Sequence, residues 1–194
     1  MDDYRLHQQI KFIVEIDKLK QVLRQTYLLQ DRRRENSAEH SWQLAMMAML
    51  LCEYCREPVD LLRVIRMVLV HDIVEIDAGD TYCYGDQAEK AEREEDAAQR
   101  LFGLLPHDQA EEIAALWREF EARQTMEARF AAALDRLMPL LLNYHTEGQS
   151  WLEHGVTRGQ VVERNQHIEA ASPRLWAYAR ALIDDAVMKG YLKP

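Results

Sequence analysis

Three polar side chains interrupt stretches that otherwise read as buried helix: His40 in SAEHSWQLAMMA and, thirty-one residues on, the adjacent pair His71-Asp72 in VLVHDIVEIDAGDT. Leu44, Met47, Ala48 and Leu51 follow His40 at helical spacing, and Leu61, Ile65, Val68 and Leu69 lead up to His71 in the same way. An imidazole or carboxylate beside such faces is costly unless it is hydrogen-bonded, ion-paired or bound to a metal. One divalent ion would satisfy all three. The competing reading has His40 capping or packing within its helix and His71-Asp72 as a structural hydrogen-bonded pair. That reading suffices for a lone His-Asp dipeptide. A second histidine upstream, with Glu75 and Asp80 downstream, favours the metal.

Two imidazole nitrogens and one carboxylate oxygen suit first-row divalent ions and leave coordination positions open, so a further protein ligand is expected. Asn36 or Ser37 can cap the helix that carries His40. Pro58 suits the first turn of the next helix, expected from Val59 to about Ile76 and ended by Gly79. On such a helix His71 and Asp72 diverge by about 100° and share an ion only from a point between them. Glu75 lies one turn further along that face, placed to contact a water at the ion. Asp80, beyond Gly79, can be folded back over the site, with a turn or helix-cap role as the competitor.

The rest of the chain also reads as helix. Tyr4 to about Leu23 is amphipathic, with Ile10, Ile13 and Val14 in its apolar stripe, and TYLLQDRRREN follows as a solvated loop. The acid-rich run QAEKAEREEDAAQRLFGLL opens another helix with a solvated face, and Pro106 begins one that carries Trp117 and Phe120. Thr125-Met126-Glu127 opens the helix in which Asp135 sits among Phe130, Ala131, Leu134, Leu137, Met138 and Leu141. A carboxylate in that stripe needs a partner, either Arg136 beside it or a metal. Pro139, four residues later, removes one intrahelical hydrogen bond and allows a kink. Two more helices, Arg158 to Ile168 and Ser172 to Lys189, complete an all-α chain. Trp151, Trp176 and Tyr178 are expected in the core or at a subunit interface.

With 194 residues, 48% of them hydrophobic, one compact domain is expected, its metal-site core at about 8–145 and helices over 156–190 packed on it. A net charge of -9 argues against nucleic acid as a partner, and an anionic substrate would need a local basic pocket. Nothing approaches the apolar length of a membrane helix. The odd count of cysteines (Cys52, Cys55 and Cys83) and an N-terminus without an apolar export segment point to the cytoplasm. Cys52 and Cys55 form a C-x-x-C without the two further ligands that a structural zinc site requires, and read as helix-face residues.

The succession S-A-E-H, H-D-x-x-E and G-D resembles the HD-domain metal-dependent phosphohydrolases, in particular the subgroup with the bacterial and archaeal 5'-deoxynucleotidases and a eukaryotic relative, over about residues 8–145. The resemblance implies a helical HD domain, a homodimer, and one divalent ion (Mn, Co, Ni, Fe, Mg or Zn) held by His40, His71, Asp72 and Asp135. It implies that Glu75 activates water, that Arg24 in LKQVLRQ binds the phosphate of a nucleoside 5'-monophosphate, and that Asp80 contacts the sugar or assists the leaving oxygen. Without the resemblance, Arg24 reads as a surface salt bridge. The chain departs from the bacterial pattern at Gln25, where that enzyme has Trp, and at Thr81-Tyr82-Cys83, where it has Leu-Pro-Thr. Two-metal relatives that cleave cyclic nucleotides need additional histidines before the last Asp, and only His107 stands in that interval. A non-catalytic nucleotide-binding dimer would predict the loss of a ligand or of Glu75, and all are present.

Overall fold

The computed structural model describes residues 3–79 and 87–194. Helix α1 (Asp3–Ile16) runs into a 3-10 turn (Asp17–Gln21) and a hairpin of β1 (Leu23–Tyr27) and β2 (Arg34–Asn36). Helices α2 (Ser37–Leu51), α3 (Leu61–Val70) and the short α4 (Glu75–Ala78) follow, then α5 (Gln87–Phe102), α6 (His107–Ala122) and the long α7 (Met126–His145). The chain closes with α8 (Gln149–Glu153), α9 (Arg158–Asn165), α10 (Ile168–Ala171) and α11 (Pro173–Met188). The fold is all-α, and among the described residues no helix is long and apolar enough to cross a membrane.

The main core forms where α2, α3 and α7 pack together. Leu44, Val64, Met67, Val68, Phe130, Leu134 and Leu137 are buried there, each contributing about 1.5–3 kcal/mol relative to exposure. On the other side of α7, Ile168, Leu175, Trp176 and Ile183 bring α10 and α11 onto the same core. A second cluster joins Phe12, Val70, Ile73, Val74, Leu101, Phe102 and Trp117, so α1, α5 and α6 clamp the segment that follows α3. The tail is locked by Gly148 (φ 74): a Cβ there would lie 1.8 Å from the Tyr191 carbonyl oxygen, so only glycine fits.

Four local expectations change. The first helix stops at Ile16, and its supposed apolar stripe points outward, with Ile10 50%, Ile13 57% and Val14 66% exposed while Phe12 is buried. The expected loop contains the hairpin, an antiparallel pairing of Leu23 with Asn36 and Tyr27 with Arg34, and the reversal uses Arg32 at φ 56. Arg24 therefore lies on a strand, where the extended backbone turns it inward beside Thr26. Third, Pro58 precedes the helix that it was expected to open, which Asp60 caps by accepting from the Arg63 N–H. That helix buries Val64, Met67, Val68 and Val70 on one face and leaves Leu69 45% exposed on the other, in line with Leu62, which is 66% exposed seven residues earlier. Finally, Tyr178 is 51% exposed and so takes no part in the core, one of the two places expected for it, whereas Trp151 and Trp176 are buried. The long helix α7 runs through Pro139, whose carbonyl accepts from Asn143 Nδ2 at 2.9 Å.

Candidate metal centre

His40 enters the centre from the start of α2. The Asn36 side chain accepts from the Glu39 N–H while the Glu39 side chain accepts from the Asn36 N–H, a capping box that fixes the first turn and with it the direction of His40. Its ring is fully buried, and Nε2 lies 3.0 Å from Asp135 Oδ1. Asp135 comes from the buried face of α7.

His71 and Asp72 sit where α3 ends. The His71 N–H still donates to Met67 O in helical fashion, but from Ile73 onward the bonds tighten to three-residue closures, Ile73 to Val70 and Glu75 to Asp72. This break resolves the angular problem of adjacent ligands on one straight helix. His71 Nε2 lies 3.0 Å from Asp72 Oδ1 and 3.7 Å from Asp135 Oδ1. His71 Nδ1 lies 2.9 Å from Val68 O, and since a carbonyl only accepts, Nδ1 carries a proton and Nε2 is the ring nitrogen that can face an ion.

Nε2 is buried and faces carboxylate oxygens, an arrangement that repels unless a proton or a cation lies between them. Four donors at about 2.1 Å from a common ion lie roughly 3–3.5 Å from one another, close to the spacings found here. The nearest ligand atoms of His40, His71 and Asp72 all fall within 4.8 Å of one another. The set therefore fits a first-row divalent ion. Phe120 packs against the His71 ring at 4.7 Å between centroids and shields this face from water.

The electrostatics agree. Burial pushes the His71 pKa down, but the Asp72 and Asp135 carboxylates push it up harder, to about 10. Burial raises Asp72 and Asp135, yet His71 and Arg24 beside the first, and Arg136 and His40 beside the second, hold both below the usual carboxylate range. The site is a pocket of negative potential that takes up a positive charge.

Glu75, at the first residue of α4, is buried and accepts a 2.7 Å hydrogen bond from Ser37 Oγ. It shares with His71, Asp72 and Asp135 the wall of a cavity of ≈ 220 Å³. Arg24 lines the same cavity and donates from Nη1 to Asp72 Oδ2 at 2.7 Å, so it is a buried partner of the carboxylates rather than a surface salt bridge. Opposite stand Arg123, Arg136 and Arg164, contributed by the end of α6, by α7 and by α9. A chain of net charge -9 thus places four arginines on one cavity, beside the carboxylates Asp72, Glu75, Glu94, Glu121 and Asp135, and these arginines are the cationic donors that an anionic substrate would meet.

Asp80 and Thr81-Tyr82-Cys83 lie outside the described residues. His107 is a solvent-facing residue at the start of α6, paired loosely with Glu111, and takes no part in the centre. Cys52 and Cys55 are half-buried free thiols. Sequence reasoning missed Ser37 as a partner of Glu75, the arginines of α6 and α9, and Glu35, a fully buried carboxylate behind His40. Glu35 had no visible signal, because it stands in the RRREN run that reads as solvated.

A family model described as an HD domain matches residues 16–176. The chain is 31% identical over 135 residues to 5'-deoxynucleotidase HDDC2 of Homo sapiens, covering 68% of this chain and 65% of that protein. It is 33% identical to the Xenopus laevis counterpart, covering 68% and 66%. The matched segment thus spans just under two thirds of these relatives' own length. Among solved structures, a Magnetospirillum magnetotacticum MS-1 protein described as a predicted metal-dependent phosphohydrolase superposes with a TM-score of 0.94 at 63% identity, covering 98% of this chain and 96% of that one. The Pyrococcus horikoshii OT3 protein PH0347, at 20% identity and a TM-score of 0.66 over 93% and 99%, shares the fold. With the family model covering most of its length and a near-superimposable relative, the chain belongs to the HD-domain family.

Proposed function

We propose that this protein is a divalent-metal-dependent phosphomonoester hydrolase that releases phosphate from deoxynucleoside 5'-monophosphates. The observation that carries the reading is the convergence of His40, His71 and Asp72, with Asp135 against both histidines, on a cavity that Glu75 and four arginines line. The choice of substrate rests on the relatives named as 5'-deoxynucleotidases.

His40, His71, Asp72 and Asp135 would hold the ion. The chemistry it supplies when bound is Lewis-acid stabilisation of phosphoryl charge and acidification of water. Glu75 receives the proton of the attacking water, and the Ser37 hydroxyl, by donating to one carboxylate oxygen, sets the rotamer that presents the other. Arg24 and Arg136 offer planar N–H donors to the non-bridging oxygens of the phosphate, where charge must be held as the nucleoside alkoxide leaves. Phe120 and the buried walls of α3 and α7 keep bulk water from these charges.

The test is a screen of nucleoside 5'-monophosphates, 3'-monophosphates, cyclic nucleotides and sugar phosphates with protein loaded with Mn or Co. Turnover is expected to be best with 5'-monophosphates, deoxyribose preferred over ribose. A cyclic nucleotide or sugar phosphate preferred over every 5'-monophosphate would remove the nucleotidase assignment and leave the metal centre standing.

The protein is also proposed to act as a homodimer. Trp42, Met46, Met49 and Leu50 recur at helical spacing as an exposed apolar stripe along α2, the kind of surface that a partner copy would cover. Light scattering at micromolar concentration should give twice the chain mass; a monomer there contradicts the proposal.

A further inference from the structure

Glu35 is the most completely buried acid of the described residues, at 0% exposure in the middle of β2. A carboxylate there requires compensation. Its Oε2 accepts from Thr26 Oγ1 at 3.0 Å and lies 3.5 Å from His40 Nδ1 and 3.6 Å from Arg24 Nε. Its Oε1 and the His40 Nδ1 are both buried and make no hydrogen bond. One acid therefore stands behind two groups that reach the centre from different elements, His40 from α2 and Arg24 from β1.

For His40 Nε2 to direct a lone pair at an ion, the ring proton must sit on Nδ1, and a buried N–H needs an acceptor. Glu35 is the carboxylate within reach of that nitrogen. A shift of a few tenths of an ångström in the imidazole or the carboxylate brings the 3.5 Å gap into hydrogen-bond range. The same carboxylate faces the Nε edge of Arg24, whose Nη1 is 2.7 Å from Asp72 and whose Nη2 is 3.8 Å from Asp135.

We propose that Glu35 is a positioning residue that couples the metal ligand to the phosphate-binding arginine: it holds His40 in the tautomer that presents Nε2 to the ion and anchors Arg24 from behind. This rests on the metal-centre reading above. A purely structural Glu35, present only to neutralise Arg24 within the hairpin, would support the fold without affecting ion affinity. Thr26 supports the first role, because its hydroxyl fixes the rotamer of the Glu35 side chain independently of His40 and Arg24.

The test compares wild type with Glu35→Gln, each shown by circular dichroism to be folded. It measures Co2+ affinity by competition with a chelator, the visible absorption of the Co2+-loaded chain, and binding of inorganic phosphate to that loaded chain. Glu35→Gln is expected to weaken Co2+ binding by about 10–100-fold, the range for lost outer-shell partners of ligating histidines. It should also alter the Co2+ spectrum and weaken phosphate binding. Glu35→Asp, which keeps the charge but withdraws it by one methylene, is measured alongside; it should weaken Co2+ binding too and serves as the readout if the Gln variant does not fold. Wild-type Co2+ affinity and spectrum in a folded variant overturn the inference and leave the metal centre intact. Failure of the wild-type chain itself to bind Co2+, Mn2+ or any related divalent ion overturns the metal centre and this inference with it.

Discussion

Asp135→Ala protein is expected to purify without the divalent ion that wild type carries at about one per chain, and to lose hydrolysis with it. Asp135 Oδ1 is the atom that both histidines approach, at 3.0 Å from His40 Nε2 and 3.7 Å from His71 Nε2. Its removal deletes a proposed ligand and one of the carboxylates that face Arg24 and Arg136. Lost outer-shell partners cost about 10–100-fold in metal affinity, so loss of a direct ligand should exceed about 100-fold. Asp72→Ala should behave alike. Full metal content in folded Asp135→Ala, read by elemental analysis, would mean that the fourth ligand is misassigned.

The same centre sets the pH dependence of loading in wild type. With no ion bound, His71 keeps its proton up to about pH 10, because the two carboxylates outweigh burial. A metal must displace that proton, so apparent affinity should rise by about tenfold per pH unit on the way up to that value and fall as the solution is acidified.

The four residues proposed as ligands were legible as candidates because each is a polar interruption of an apolar helical period. His40, His71-Asp72 and Asp135 break patterns that Leu44, Val68 and Leu134 otherwise continue. The all-helical class followed from the same periods. What could not be read was whatever tertiary structure imposes against the local pattern. The apolar spacing of VLVHDIVEI runs straight through the point where α3 breaks, so the helix looks continuous to Ile76, although the turn at His71 is what aims two neighbours at one place. Arg24 gave a helix-like spacing with what precedes it, yet β1 pairs with a partner beyond an arginine run. Glu35 in that run is buried only because α2 and the hairpin close around it, and Arg123, Arg136 and Arg164 meet across more than forty residues of chain. The exposed Ile10, Ile13 and Val14 show the converse: an apolar period establishes a face without saying what covers it.

Glu75→Gln should separate metal binding from catalysis. Glu75 accepts a hydrogen bond from Ser37 Oγ, and it borders the cavity beside His71 and Asp72. Glutamine keeps the volume and an acceptor for Ser37 but cannot take a proton from water. The variant is therefore expected to keep full metal content and a near wild-type KM while kcat falls by about 10²–10⁴-fold, the usual contribution of a positioned general base. Ser37→Ala should cost less, since Glu75 keeps its basicity and loses only one restraint on its rotamer, a loss of about 0.5–1.5 kcal/mol for a single hydrogen bond. The pattern is diagnostic because a ligand and a base fail differently: Asp135→Ala loses the ion first and activity as a consequence, whereas Glu75→Gln loses turnover with the ion in place. Full activity in metal-loaded Glu75→Gln would assign water activation to another group on the cavity wall and leave Glu75 as a partner that holds Ser37 and the start of α2 against α4.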